Sequence, residues 1–574
     1  MDKKNNSKFV VEGNLTDFER IKGDSNYLRG TIDQDLKKTL TNGFTGDNFY
    51  LIRFHGMYQQ DDRDIRSERL EQKLEPKYAM MLRCRLPGGV ITTDQWIKIN
   101  DFAINYTFYK TIRLTNRQTF QLHGIFKHNL KQAHQMLHEI NLDSLATAND
   151  VNRNVICTSN PNESNVSHQV YELSKIISQH LLPKTKAYAE IWLDKKKIFT
   201  TEDDEPLLSK FYLPRKFKIS IVVPPYNDVD IHANDMSLIT ILDSKNNIIG
   251  FNLLVGGGLS FEHNNKLTWP GISQEVGFVL YKDIISVVES VVTIQRDWGD
   301  RTNRKQAKTR YTLHRVGLKY FKKEIEKRSN TILLPIKKYH FISRGDRFHW
   351  IKGTNQKWNY TLFIPNGRIK NTHNFKLQSA LYEIAQTYHG NFKITANQNL
   401  IISDVKEKYK KNIINIIKKY GLSNSISYIR QNSMACVSFP TCPLAMAEAE
   451  RMLENFVTKL ELILIDNKMF QEYIVVRVTG CPNGCARALL AEIALVGKSP
   501  GKYNLYIGGN RIGTRIPTLY EENVTESEIL NKLSKLIQVW SVKRNLKESF
   551  GDFVIRIGIV KEIINPSSEF WSKK

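Results

Sequence analysis

Four of the chain's six cysteines lie between residues 434 and 487, and their spacing constrains the fold more than any other feature. Five residues separate Cys436 from Cys442, and three separate Cys481 from Cys485. Two close pairs of cysteines, far apart along the chain, are the typical layout of a site where two loops bind one metal centre. The stretch therefore predicts that distant segments meet at such a site.

Zinc and iron–sulfur clusters are the two centres that four thiolates commonly hold. Structural zinc sites usually place paired cysteines about two to four residues apart, so the five-residue gap fits zinc poorly. A proline follows both Cys442 and Cys481, as at cluster sites, where it stiffens the turn. Buried free thiols are an alternative, since free cysteine behaves as a small apolar side chain. A disulfide framework fits worse, because a chain of this length buries a core without cross-links.

The residues around the cysteines, SMACVSFPTCPLAMAEAE and VTGCPNGCAR, resemble the cluster motif of the sirohaem/[4Fe–4S] nitrite and sulfite reductases. The resemblance is strongest to the haemoprotein (beta) subunits of the NADPH-dependent sulfite reductases, and it runs nearly from end to end. Further matching segments are SNYLRGTI, IRFHGMYQQDDRDIR, RLTNRQTFQLHGI, ATANDVNRNV, LPRKFKI, LLVGGGLS and YIGGNRIGTRIP.

The resemblance implies two cofactors and their ligands. In the family, four cysteines hold a [4Fe–4S] cluster, and the last also bridges to the iron of a sirohaem. The implied metal ligands here are Cys436, Cys442, Cys481 and Cys485, with Cys485 as the bridge. The chain has no GxGxxG motif with a ribose-binding acid and no flavin motif, so another protein must supply electrons. In the family, that partner is an NADPH-oxidising flavoprotein (alpha) subunit.

A row of polar residues occupies odd-numbered positions in RLTNRQTFQLH, which is predicted to be a strand with these side chains on one face. The row consists of Arg113, Thr115, Arg117, Gln121 and His123. Taken alone, it fits a solvent-facing sheet as well as a cofactor pocket. The resemblance favours the pocket, because sirohaem carries many carboxylates and guanidinium groups bind carboxylates in pairs of hydrogen bonds. Asn483 is a further cofactor contact by resemblance.

Four basic residues match the family's anion-binding positions, which makes them the expected catalytic residues: Arg83, Arg153, Lys216 and Lys218. Lys216 and Lys218 are two apart on a predicted strand and therefore project to one face. Arginine holds its proton firmly, whereas a crowded lysine has a lowered pKa. We therefore expect the arginines to anchor sulfite and the lysines to supply protons.

The formal net charge of the 574-residue chain is +25, which points to an anionic partner. Nucleic acid is disfavoured, because the most basic segment, 406–421, has the spacing of an amphipathic helix with a solvated lysine face. A small anion with a polycarboxylate cofactor, or an acidic electron donor, accounts for the charge. No signal peptide and no run of about 18 apolar residues occurs. We expect a cytoplasmic protein with no membrane or nucleic-acid partner.

An internal duplication is visible in the sequence. Residues 81–145 and 346–421 both read as strand, helix, strand, helix, and Pro87 and Thr115 recur as Pro365 and Thr395. Segments 211–260 and 472–513 also mirror each other, with lysines in one and cysteines in the other. The fold class expected is α+β, a pseudo-twofold sirohaem/Fe–S reductase fold of three mixed domains with an arm. The expected units are an arm at 1–80, a central ferredoxin-like domain at 81–145 plus 346–421, a sirohaem and substrate domain at 146–345, and a cluster and sirohaem domain at 422–574.

The function implied by the resemblance is the six-electron reduction of sulfite to sulfide in sulfur assimilation and cysteine biosynthesis. A ferredoxin-dependent sulfite or nitrite reductase is the nearest alternative. The run DDRDIRSERLEQKLEP resembles the NADPH type, and no ferredoxin domain is inserted. A basic nucleic-acid-binding protein with a structural cluster is an alternative from another class.

Overall fold

The structure, a computed structural model, describes residues 9–185, 192–193, 196–197, 205–422 and 426–572. The first eight residues of the expected arm, and the other residues missing from these ranges, lie outside the described residues. The helices are α1 (Asp17–Gly23), α2 (Ile32–Lys37), α3 (Asn48–Leu51), α4 (Arg66–Glu71), α5 (Thr93–Tyr106), α6 (Leu130–Glu139), α7 (Asn165–His180), α8 (Ile284–Trp298), α9 (Thr309–Val316), α10 (Leu318–Ser329), α11 (Leu377–Thr387), α12 (Glu407–Lys419), α13 (Tyr428–Gln431), α14 (Glu450–Asp466), α15 (Glu526–Lys543), α16 (Phe550–Arg556) and α17 (Pro566–Glu569).

The strands form four five-stranded sheets and two small pairs within the described residues. They are β1 (Met57–Gln60), β2 (Ala79–Arg83), β3 (Val90–Thr92), β4 (Ile112–Leu114), β5 (Phe120–Ile125), β6 (Ile156–Cys157), β7 (Trp192–Leu193), β8 (Lys196–Lys197), β9 (Ile219–Val222), β10 (Tyr226–Asn227), β11 (Met236–Leu242), β12 (Ile248–Val255), β13 (Gln274–Leu280), β14 (Ser343–Arg344), β15 (Trp350–Lys352), β16 (Trp358–Leu362), β17 (Arg368–Ile369), β18 (Asn391–Ile394), β19 (Leu400–Val405), β20 (Ser433–Ala435), β21 (Val476–Thr479), β22 (Ile493–Ser499), β23 (Lys502–Ile507) and β24 (Thr518–Thr525).

The amphipathic helices form where the sequence predicts them. Helix α5 begins at a capping box, in which Thr92 Oγ1 accepts from Gln95 N at 3.1 Å and the Gln95 side chain accepts from Thr92 N at 2.9 Å. It buries Trp96 and Ile99 on the face that packs into the core. Helix α12 buries an isoleucine face and leaves its lysines toward solvent. Nothing in that helix therefore calls for nucleic acid as a partner.

The two ferredoxin-like halves exchange one edge strand each. Their sheets have the orders β1-β2-β5-β4-β17 and β15-β16-β19-β18-β3. In the first sheet β17, from the second half, pairs with β4 through Arg368 and Arg113. In the second sheet β3, from the first half, pairs with β18 through Thr92 and Asn391. Both halves contribute to one continuous hydrophobic core.

The other two sheets also repeat each other. In the order β6-β9-β11-β12-β13, the strands β6, β9 and β11 are parallel to one another, β12 is antiparallel to β11, and β13 is antiparallel to β12. The strands of the order β20-β21-β22-β23-β24 have the same relative directions. Strands β9 and β21 hold the same place in the two sheets, as do β12 and β23. The predicted mirroring of 211–260 and 472–513 is therefore confirmed, and with it the pseudo-twofold plan.

Two segments predicted as single strands are hairpins instead. RLTNRQTFQLHGI forms β4, a turn and β5, and its counterpart forms β18, a turn and β19. In both turns a glutamine adopts a left-handed backbone, Gln118 at φ 51° and Gln398 at φ 68°. Thr115 N donates to Thr119 O at 2.8 Å and closes the first turn. Lys216 and Lys218 likewise precede β9 rather than lying in it.

The expected arm packs against the rest of the molecule. Residues 57–60 form an antiparallel pair with β2 at the edge of the first sheet. Leu28 and Phe54 are buried in the core of the unit that contains β9 and β11, and the Phe54 ring lies 5.5 Å from that of Tyr212. The segment therefore contributes to the stability of the folded chain.

Phe54→Ala should lower the free energy of unfolding by about 3–5 kcal/mol, because it removes a fully buried ring from that core. Leu40→Ala is the matched control, since Leu40 is fully exposed, and should stay within about 0.5 kcal/mol of wild type. Denaturant unfolding measures both. Equal stability of the two variants would contradict the packing of this segment.

Candidate functional site

Parallel pairing brings the two cysteine loops together. Strands β20 and β21 are adjacent and parallel, so the loops that follow them leave the same edge of the sheet. Cys436 follows β20 directly, and Cys481 follows β21 after Gly480. Gly480 N donates to Cys436 Sγ at 3.2 Å. A Cβ atom on Gly480 would lie 2.1 Å from Ser438 Oγ, so only glycine permits this approach of the loops.

The four thiols lie within electrostatic reach of one another. Burial, and then the charges of Cys436 and Cys485, raise the pKa of Cys442 to about 12. Burial and the neighbouring thiols also raise the pKa values of Cys436 and Cys481. None of the four is in a disulfide. Thiolates so arranged need positive charge between them, which bound iron provides.

A single metal ion does not fit this arrangement. In the part of the chain that the structure describes, no three His, Cys, Asp or Glu side chains are placed to hold one ion. The five-residue gap between Cys436 and Cys442 also fits a zinc site poorly. The donor set therefore suits a [4Fe–4S] cluster better than zinc.

The N-terminal segment supports the first cysteine loop. Arg63 Nη1 donates to Ala445 O at 2.7 Å and to Cys442 O at 3.3 Å, and its guanidinium lies 4.4 Å from the centre of the Phe439 ring. Asn116, in the β4–β5 turn, donates to Cys485 O. The loops are thus held by residues that lie far away in sequence.

The predicted anion-binding residues gather beside Cys485. Arg83 Nη1 and Arg153 Nη1 both donate to Thr147 O, at 3.1 and 2.9 Å. The charge of Cys485 acts on the pKa values of Arg83, Lys216 and Lys218. The structure therefore brings all four residues to one place.

The two lysines are crowded, as predicted. Burial, and then the charge of Arg215, lowers the pKa of Lys216 to about 8. Burial, and then the charges of Lys216 and Arg117, lowers the pKa of Lys218 to about 7. Lys218 N donates to Asp235 Oδ2 at 3.0 Å, which holds its backbone in place. A lysine with a pKa near 7 can give up its proton under ordinary conditions.

The polar row divides between two strands and a turn, yet its members stay close. Arg113 on β4 pairs in register with Gln121 on β5, so both face the same side. Arg113 Nε donates to Glu450 Oε2 at 2.9 Å. Arg117, in the turn, donates to Asn234 Oδ1 at 2.6 Å. Thr115 Oγ1 accepts from Arg117 N at 3.2 Å.

His123 lies on β5, whereas Asn483 lies in the second cysteine loop, between Cys481 and Cys485. His123 is buried, and burial lowers its pKa well below the usual value, so the ring is neutral. Its Nδ1 atom lies 3.0 Å from Gln60 Oε1. Asn483 Nδ2 donates to Cys481 Sγ at 3.7 Å and borders the cavity that Lys216 and Lys218 line.

Several basic residues of this cavity were not predicted. Lys308, Arg310 and Arg487 line it together with the predicted lysines. Burial lowers the pKa of Lys308 well below its usual value. Lys308 and Arg310 belong to a segment rich in basic residues, where spacing does not single them out. Their positions follow only from the packing of α9 against the loops.

A buried carboxylate joins the two copies of the repeated unit. Asp230 Oδ2 lies 2.6 Å from Arg477 Nη1 and 2.8 Å from Arg487 Nε, and its Oδ1 lies 3.5 Å from Arg344 Nη1. Burial alone would raise the pKa of Asp230, but the three guanidinium groups hold it well below its usual range. Asp230 follows β10, whereas Arg477 lies on β21.

Relatives at high identity match nearly the whole chain. Proteins from Buchnera aphidicola subsp. Acyrthosiphon pisum and Salmonella arizonae, both named sulfite reductase [NADPH] hemoprotein beta-component, are 63% and 59% identical to it. The first match covers 98% of this chain and 99% of the relative, and the second covers 100% of both. The chain belongs to the nitrite and sulphite reductase family.

Two family models match parts of the chain. The nitrite/sulfite reductase ferredoxin-like half domain matches twice, at 72–140 and 351–420, which confirms the predicted duplication. The nitrite and sulphite reductase 4Fe-4S domain matches 172–333, in the copy without the four cysteines. The solved structure of Mycobacterium tuberculosis NirA protein shares the fold at a TM-score of 0.75 and 23% identity, covering 95% of this chain and 97% of that one.

Asp230→Asn should lower the free energy of unfolding by about 3–5 kcal/mol, because it leaves three guanidinium groups without their buried counter-charge. Glu71→Gln removes a charge from the exposed surface and should change stability by no more than about 0.5 kcal/mol. Denaturant unfolding of both variants measures the difference. A loss under about 1 kcal/mol for Asp230→Asn would show that the buried charge is dispensable.

Proposed function

We propose that this chain is the haemoprotein (beta) component of an NADPH-dependent sulfite reductase, which reduces sulfite to sulfide with six electrons in sulfur assimilation. The observation that carries the proposal is the gathering of four thiols beside buried arginines and lysines. The names of relatives 59–63% identical over the full chain support it.

The thiols and the polar row are the proposed cofactor ligands. Cys436, Cys442, Cys481 and Cys485 would hold the [4Fe–4S] cluster, with Cys485 also bridging to the sirohaem iron. The proposed sirohaem contacts are Arg113, Thr115, Arg117, Gln121, His123 and Asn483. When bound, the coupled cofactors deliver electrons one at a time to the substrate.

The basic surroundings fit a cofactor that carries many carboxylates. Arg117 Nε is buried and has no hydrogen-bond partner among the described residues. Burial, and then the charge of Arg487, lowers the pKa of Arg117 to about 9. An anionic ligand would therefore stabilise the charged form of this guanidinium.

The four basic residues have separate proposed roles. Arg83 and Arg153 anchor the anionic oxygens of sulfite through their guanidinium groups. Lys216 and Lys218 have lowered pKa values and supply protons as those oxygens leave as water. Burial, and then neighbouring positive charge, lowers the pKa values of both lysines, which makes proton release easier.

The electron donor, the location and the domain roles belong to the same proposal. The donor is an NADPH-oxidising flavoprotein, and the segment 1–80 contributes to its docking. The division into a central domain, a substrate domain and a cluster domain follows the boundaries given above. We infer a cytoplasmic protein. Among the residues that the structure describes, no helix combines the length and apolar character needed to cross a membrane.

An absorption spectrum and a pair of assays test the proposal as a whole. The purified protein should show sirohaem bands and an iron–sulfur contribution, and should reduce sulfite when its flavoprotein and NADPH are supplied. Turnover of nitrite with ferredoxin, but none of sulfite with NADPH and the flavoprotein, would instead indicate the ferredoxin-dependent alternative. Absence of haem bands would remove the basis of the proposal.

Cys485→Ser should disrupt the coupling between cluster and haem and abolish sulfite turnover with a chemical reductant, because it replaces the proposed bridging thiolate. The electron paramagnetic resonance and absorption spectra should change as well. Cys84→Ser, at a buried thiol that follows β2, is the matched control and should keep both spectra. Normal turnover of Cys485→Ser with both cofactors loaded would exclude the bridge.

Lys218→Met and Lys218→Arg should each lower turnover by about 100-fold or more, since both remove a releasable proton. Sulfite affinity, measured by spectral titration, should fall by less than about tenfold, which separates proton delivery from anion binding. In the wild type, turnover should fall as pH rises through about 7, because the ammonium form of Lys218 is lost there. Lys218→Arg should lack that inflection.

Arg153→Ala provides the contrast and should weaken sulfite binding by about 10- to 100-fold, the cost of losing a charged hydrogen-bond donor. Its effect on turnover at saturating sulfite should be smaller. Full turnover in Lys218→Arg would reduce that lysine to an electrostatic anchor and move proton delivery to Lys216 or to water.

A further inference from the structure

A second cavity of about 260 Å³ lies apart from the cysteine loops, in the copy of the repeated unit that has no cluster motif. It opens where β6 and β9 end, which is the same sheet edge that carries the cysteines in the other copy. Strands of the central domain close its other side through Asn359 and Thr361 on β16.

The strand registers give the residue equivalences between the copies. The short helical turns Ile231–Ala233 and Ala488–Leu490, which precede β11 and β22, set an offset of 257 for β9. Ile156 pairs with Ser220 as Met434 pairs with Arg477, so the offset for β6 is 278. The positions equivalent to Cys436, Cys442, Cys481 and Cys485 are therefore Thr158, Ser164, Pro224 and Asp228. All four line the cavity.

The central domain contributes equivalent residues too. Pro87 and Pro365 are 278 residues apart, and the same offset relates Arg83 to Thr361. Thr115 and Thr395 are 280 residues apart, and that offset relates Gln121 to Ile401. Thr361 and Ile401 also line the cavity. The cavity is therefore the pseudo-twofold counterpart of the cofactor site, with every thiol and the Arg83 guanidinium replaced.

The sign of the charge is reversed in this counterpart. The ionised residues that line it are Asp228, Asp346, Glu163 and Arg347. Arg347 is paired with Glu163, and both are partly exposed. Asp346 accepts from three side chains, among them Thr395 Oγ1 at 2.7 Å and Asn399 Nδ2 at 2.8 Å. Asp228 makes no ion pair among the described residues; burial raises the pKa of its carboxyl to about 6, and the charge of Arg347 acts in the opposite direction.

Asp228, which lines the cavity, has a buried carboxylate oxygen that accepts no hydrogen bond from the described residues. Its Oδ2 atom accepts from Ser159 N at 2.6 Å, but within the described ranges Oδ1 has no hydrogen-bond partner. Asp228 is 7% exposed. The nearby ammonium of Lys393 lies over the Tyr171 ring at 5.1 Å and makes no hydrogen bond to this carboxylate. A buried carboxylate oxygen in this state is stabilised by a cationic donor.

A second polar group lines the same cavity without a partner. Asn160 is 4% exposed, and its Nδ2 atom finds no acceptor in the described part of the chain. A ligand that satisfies both groups must present a charged donor to Asp228 and an oxygen acceptor to Asn160. Free amino alcohols and amino acids both have this chemistry.

We propose that this cavity binds a small molecule with an ammonium group and an oxygen acceptor, held by Asp228 and Asn160. The site is separate from the proposed reaction centre and does not rest on the proposed function. Its acidic wall disfavours sulfite and carboxylates that lack an ammonium group, so the two counterpart sites differ in the charge of the ligands that they accept.

Isothermal titration calorimetry on the cofactor-loaded protein tests the proposal, with ethanolamine and glycine as probes and acetate as the anionic control. Ethanolamine has only four non-hydrogen atoms, so its Kd should not fall much below roughly tens of micromolar. We expect saturable binding of ethanolamine at millimolar concentration and none of acetate. Glycine binding would extend the site to amino acids, and its absence would confine it to amines with a neutral acceptor.

Two variants test whether the heat measured in the titration comes from binding in this cavity. Asp228→Asn keeps the shape of the side chain and should weaken ethanolamine binding at least tenfold. Thr361→Arg introduces the guanidinium of the counterpart site and should abolish binding of the amine. Both variants should keep the wild-type absorption spectrum and melting temperature. Asp243→Asn, at an exposed turn, should bind ethanolamine as the wild type does.

Of the four results that would overturn the proposal, three concern the binding of the probes. They are no saturable binding of either probe to the wild type, equal affinity in Asp228→Asn, and binding of acetate as tight as that of ethanolamine. Displacement of ethanolamine by potassium chloride but not by sodium chloride at equal ionic strength would also overturn it, in favour of an inorganic cation site.

Discussion

The ion network around Asp230 is the constraint on which the arrangement of the site depends. One buried carboxylate sits among Arg344, Arg477 and Arg487. Arg477 and Arg487 flank the loop that carries Cys481 and Cys485, and Arg487 also lines the basic cavity, whereas Arg344 lies on β14. Guanidinium groups at this density repel one another in a medium of low dielectric. The Asp230 carboxylate offsets this repulsion, so the two copies of the repeated unit can pack against each other where their loops meet.

Glu450 likewise pairs with more than one arginine, at the central domain. Its carboxylate accepts from Arg113 and from Arg368, the two residues that pair across the exchanged edge strand β17. Both anions therefore lie where units related by the duplication touch. Each of these two carboxylates thus offsets the positive charge of more than one arginine at such a junction.

Much of the site was predictable from sequence because its decisive signal is local. Paired cysteines after short apolar strands imply loops at one sheet edge, and the parallel strands β20 and β21 deliver them there. The duplication was visible because short segments recur at a nearly constant offset. The hairpin at Gln118 was missed because its left-handed turn contains no glycine, which is the usual marker. Asp230 and Lys308 were missed because their partners are distant in sequence and no spacing rule connects them.

The exchanged edge strands have a consequence for synthesis on the ribosome. The first ferredoxin-like sheet lacks its last strand until residues 368–369 have been made, more than 250 residues after β4. At translation rates of about 5 to 20 residues per second, the nascent chain waits roughly 10 to 50 seconds with that edge unpaired. An open edge is a template for pairing with other chains. The first ferredoxin-like half therefore cannot complete its sheet until the second half has been synthesised as far as β17.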